Sequence, residues 1–158
     1  MSALKRIYQF HFSDERRERL FLASIGFLAS FAIVRVITHL IRAGVGPFHN
    51  VTTGGLHIHH LVWGILLLLA VGYIWLNEWG VGSNVVSSLT AVAYGVAAAL
   101  ALDEFALWLN LQDVYWAPLG HESVDAVVIF AGLLSVGIWG GPFFKGLARL
   151  VIRRPKAA

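Results

Sequence analysis

Four apolar runs, each close to the length that crosses a bilayer, constrain this chain more than any other feature. They lie at about residues 20–43, 56–77, 84–111 and 121–140. A transmembrane helix needs roughly 20 predominantly apolar residues. The four runs therefore predict an all-α, polytopic integral membrane protein, a four-transmembrane-helix bundle. No stretch is left over for a soluble domain, so residues 1–158 are expected to form a single transmembrane domain with short basic segments at both ends. Composition agrees: 58% of residues are hydrophobic and only 13% are charged, where a soluble domain carries about 25% charge.

The distribution of charge predicts orientation. Lys5, Arg6, Arg16, Arg17 and Arg19 precede the first run, and Lys145, Arg149, Arg153, Arg154 and Lys156 follow the last. Only Arg35 and Arg42 lie between. This is the positive-inside pattern for an even number of spans with both termini cytoplasmic, in a plasma or inner membrane. The net charge of +3 then reflects topology. No nucleic acid is expected as a partner; the lipid bilayer and its anionic headgroups are. The chain has no cysteine, so disulfides and thiolate chemistry are excluded and any metal site must use nitrogen and oxygen ligands.

Along the chain, Ser13 ahead of Asp14 and Glu15 predicts the N-cap of a first helix running from about 14 to 43. Gly, Pro and Asn punctuate an outer loop over about 44–55. The second helix is expected to begin at Leu56, and the third to run unbroken over about 84–111. On that third helix Ala91, Gly95 and Ala99 form a stripe of small residues that lets another helix approach closely. Tyr115 and Trp116 are expected to anchor the second outer loop at the interface.

This topology gathers ionisable residues at one end. His39, His49, His57, His59, His60, His121, Asp103, Glu104, Asp113, Glu122 and Asp125 all fall on the outer half. An ionisable side chain at membrane depth costs roughly 2.5–3.5 kcal/mol on insertion scales, so it faces a partner or a wet cavity. Arg35, His39 and Arg42 share one stripe of the first helix and are expected to clamp an anionic substrate, or Arg35 simply to brace the bundle. Asp103 and Glu104 diverge around the third helix, so one acid is expected to pair with Arg35 while the other faces the site. His57 and His60, at i and i+3, are expected to share a helix face, with His59 pointing elsewhere.

His121-Glu122-Ser123-Val124-Asp125 compares with the His-Glu-x-x-His of zinc enzymes, with Asp in the second ligand position. The expected metal ligands are therefore His57, His60, His121 and Asp125, with Asp103 behind them or on a second metal, and Glu122 or Glu104 as general base. Zinc is the favoured ion; iron or manganese would suit a carboxylate-rich pair. Three functions follow: a metal-dependent membrane hydrolase acting on a lipid headgroup or membrane-proximal substrate, a divalent-cation or proton-coupled transporter, or a non-catalytic scaffold with a structural polar cluster. A transporter would need a homo-oligomer to supply a polar path, because the inner halves of the runs hold almost no ionisable residue.

Overall fold

The computed structural model describes residues 7, 8 and 10–140. The basic run from Lys145 to Lys156, with Lys5 and Arg6, lies outside the described residues. Among the described residues the regular structure is helical apart from one small ribbon. Beyond the helical residues near the N-terminus, the helices are α1 (Glu15–Ala43), α2 (His60–Leu76), α3 (Asn84–Asp103), α4 (Phe105–Asn110) and α5 (His121–Trp139). A 3-10 turn, Pro118–Gly120, leads into α5. Among the described residues three helical stretches are long and apolar enough to cross a membrane: Glu15–Ala43, Asn84–Asp103 and Pro118–Trp139. α2 is apolar but has 17 residues, about 25 Å of rise.

α3 is the central element. It packs on α1, α2 and α5, while α1 and α2 pack on α3 rather than on each other. Of its apolar span 39% is buried, against 17% for α1 and 22% for the last span. Small residues make this possible. Ala91, Gly95 and Ala99 are all buried, and a Cβ at Gly95 would collide with the carbonyl oxygen of Ala23 on α1. On the other side, a Cβ at Gly64 would come within 2.7 Å of the Ala101 nitrogen. The small-residue stripe thus receives α1, as the sequence predicts. Phe27, Ala98, Ala99, Val127 and Leu134 form the core where α1, α3 and α5 meet.

The helix ends follow local rules. Asp14, not Ser13, caps α1, accepting the backbone N–H of Arg16 at 2.9 Å. At the C-terminal end of α1 Gly44 takes φ 68°, and the N–H of Val45 returns to the carbonyl of Leu40 at 3.0 Å. This is a glycine C-cap that stops the helix just after Arg42.

Two departures from the sequence reading position the site. The loop between α1 and α2 contains an antiparallel ribbon, β1 (Thr52–Thr53) and β2 (Leu56–His57). Gly54 and Gly55 turn it with φ 59° and 81°, the two positive values that a two-residue hairpin requires. His57 therefore sits on a strand, and α2 begins only at His60. Second, the expected third helix breaks at Glu104, which has φ −109° and ψ 22°. Neither Gly nor Pro marks that break. Contacts to other elements stabilise it: Ser123 Oγ on α5 accepts the freed N–H of Ala106 at 3.0 Å, and the Glu104 carboxylate leaves its own helix for α2.

Candidate functional site

The break places two adjacent carboxylates on different partners. Asp103 is fully buried and Glu104 nearly so. Asp103 Oδ1 lies 2.5 Å from Arg35 Nε of α1. The two atoms sit at ion-pair distance without hydrogen-bond alignment, and Arg35 Nη2 is likewise buried without a hydrogen bond. Coulomb attraction depends on distance rather than direction, so the contact counts as a buried ion pair. Phe31 and Tyr115 rings, 5.3 and 4.8 Å from the guanidinium carbon, flank it. The other oxygen, Oδ2, accepts the Tyr115 hydroxyl at 2.7 Å and lies 3.0 Å from His60 Nε2.

Glu104 binds the start of α2. Its Oε2 accepts the backbone N–H of Leu61 at 2.8 Å, and its Oε1 lies 2.7 Å from His59 Nδ1. A carboxylate only accepts, so the imidazole donates. His59 is the N-cap of α2 and supplies no side-chain cap of its own; a carboxylate from another helix does the capping. That carboxylate also meets the positive end of the α2 dipole. His60 Nδ1 stands 3.4 Å from Glu104 Oε2, so His60 bridges both acids.

This cluster forms one wall of a cavity of about 540 Å³. Val34, Ile37 and Ile41 of α1 and Trp63 of α2 are among its apolar lining, and Arg42, His57, His59, His60, Glu104, Asp113 and Tyr115 among its polar lining. Tyr115 also meets Thr38 Oγ1 at 3.2 Å. Burial, and next the charge of Asp103, push the Tyr115 phenol well above its ordinary range, so it stays a donor. Arg42 stacks over Trp116 at 4.3 Å.

The sequence-derived site is partly assembled and partly not. Arg35 pairs with one acid while the other faces the cavity, as expected. The proposed ligands His57, His60, His121 and Asp125 do not come together. His57 and His60 lie on different elements, and the i, i+3 argument fails with the helix it assumed. His121 and Asp125 are exposed on α5, whose N-terminal end packs on α4 and lines no part of the cavity. Glu122 accepts the Asn110 amide at 2.6 Å and does not line the cavity. Asp103 is committed to Arg35, Tyr115 and His60. Among the described residues no group of three or more His, Asp or Glu is arranged to hold a metal ion. His39 is exposed, its Nδ1 on the Arg35 carbonyl at 2.7 Å and its ring edge-on to Trp116.

Three participants escaped the sequence reading. His59, set aside there, holds the shortest histidine–carboxylate contact. Tyr115, read as an interface anchor, belongs to the buried network. Thr38 braces Tyr115. The available signal for Tyr115 was its hydroxyl, since a buried tyrosine seeks a partner for it.

Comparison of the chain with protein-family models, curated proteins and solved structures gives no match.

Proposed function

We propose that this chain is an integral membrane enzyme of four spans with both termini cytoplasmic, performing acid–base hydrolysis on a lipid headgroup at the outer face. The observation that carries the reading is the His59–Glu104 pair on the cavity wall. Nδ1 of His59 is held at 2.7 Å by a buried carboxylate, which fixes the tautomer and leaves Nε2 as the basic nitrogen. No hydrogen bond engages Nε2 among the described residues. An imidazole so oriented takes a proton from water as that water attacks an ester, and returns it to the departing alcohol. Glu104 offsets the positive charge that the ring carries between those two transfers. Asp103, Arg35, His60 and Tyr115 hold Glu104 and the α2 terminus in place. Transport is less well supported: between Leu61 and Leu102 only Tyr73, Glu78 and Tyr94 are ionisable, which gives no continuous polar path.

The test is headgroup release. Protein reconstituted into liposomes of a total polar lipid mixture is incubated with and without chelator, and the water-soluble products are identified by mass spectrometry. Release by the wild type in both conditions supports the reading. Release only without chelator restores the metal-dependent version. No release from any lipid defeats the enzyme reading.

A further inference from the structure

We infer that the ligand of this cavity is a phosphate-bearing membrane lipid, which enters sideways between α1 and α2. The inference rests on the reading above for the site's location, and adds the chemical class and the route. The route follows from packing. α1 and α2 both lean on α3 and not on each other, yet both line the cavity. The gap between them is therefore a slot along the bundle's side, not a shaft down its axis.

The lining changes character along that slot. Val34, Ile37 and Ile41 succeed one another on one face of α1, opposite Trp63. Arg42 tops the same face, eight positions after Val34 and so about 12 Å further out. Two carboxylates also line the cavity: Glu104 is held by His59 and the Leu61 N–H, and Asp113 accepts the Tyr115 N–H at 3.3 Å. The arginine of the lining is Arg42, and a ligand seated against it is apolar below and anionic above, which is the profile of a lipid chain and its phosphate.

Arg42 is the anion receptor. It forms no ion pair among the described residues, and its guanidinium carbon lies 4.3 Å over the Trp116 ring; its N–H groups, with no hydrogen bond among the described residues, can fork onto phosphate oxygens. His49 and His57 line the same end. Arg35, by contrast, is consumed by Asp103. His59 then lies in the same cavity as the phosphate-binding end, where an ester bond of the headgroup would be placed.

Native mass spectrometry of the protein in detergent, with equimolar phosphatidylglycerol and a galactolipid of the same acyl chains, measures the preference directly. Wild type should retain phosphatidylglycerol selectively. Arg42→Gln should lose that selectivity by about tenfold, the scale of one charge-assisted contact. Ile37→Trp, which fills the apolar wall without touching the charge, should weaken both lipids. Equal retention of the two lipids by the wild type overturns the inference. So does glycerol phosphate alone displacing the bound lipid at equal concentration, because a headgroup without chains should not suffice. Turnover of a phosphate-free lipid with no phosphate preference would leave the enzyme reading standing and remove this one. Selective binding without turnover would do the reverse.

Discussion

Glu104 accepts the backbone N–H of Leu61 at 2.8 Å, so a carboxylate from the break after α3 caps the N-terminus of α2. The contact couples the break after α3 to the start of α2 at the cavity wall. Removing it strands a buried donor at a helix end, a loss of about 1–3 kcal/mol. Glu104→Ala should therefore lower the thermal midpoint in detergent clearly. Glu104→Gln keeps an acceptor oxygen for Leu61 and should recover much of the difference. Equal losses for the two variants would show that the cap is unimportant.

The Arg35–Asp103 pair is buried on the acid side, and losing one partner leaves an uncompensated charge. Breaking such a pair costs about 3–5 kcal/mol. Arg35→Met and Asp103→Asn should each destabilise strongly, and the double variant should lose less than the sum of the two. Strict additivity in denaturant unfolding would mean that the two charges do not interact.

Close helix crossings make a sharper steric statement. Gly95 faces the backbone of Ala23, whereas Gly72 and Gly132 have open space where a side chain would go. Gly95→Ala should disrupt the α1–α3 contact and lower folded yield. Gly72→Ala and Gly132→Ala should be neutral or slightly stabilising, since alanine favours helix by about 1 kcal/mol over glycine. The ordering of the three variants in detergent-solubilised yield checks the crossing.

Tyr115 makes stability depend on alkaline pH. Its folded value is raised above the ordinary 10.0 by burial and by Asp103. The unfolded chain therefore releases this proton first, and the contribution is complete below that ordinary value and lost as pH rises beyond it. Tyr115→Phe should be less stable than wild type near neutrality, and the gap should close above pH 10.0. A gap that stays constant through that range would separate the hydroxyl from the network.

These relationships also mark what was legible in the sequence. Apolar length and the Ala91–Gly95–Ala99 stripe encode the helices and their closest crossing, because both depend on local composition. The pairing of Arg35 with one of two adjacent acids follows from helical geometry alone. The break at Glu104 does not. Phe105, Ala106 and Leu107 continue a helical sequence without Gly or Pro, and the break exists because Leu61 and Ser123, both distant in sequence, take the freed groups. His57 was misplaced for a nearer reason. Gly54-Gly55 after two threonines is a hairpin turn in its own right, and treating it as mere loop extended α2 by one turn. That extra turn set His57 on one helix face with His60 and turned His59 away, whereas both His57 and His59 line the cavity.

The most direct measurement sets His59, on the cavity wall, against Glu122, which does not line it. Initial rates of headgroup release are compared for wild type, His59→Gln and Glu122→Gln in the same liposomes. His59→Gln should lose roughly 100-fold or more, the scale of general acid–base catalysis, while Glu122→Gln, at a residue that does not line the cavity, should match wild type. A fully active His59→Gln, or a Glu122→Gln that alone abolishes release, would contradict the account.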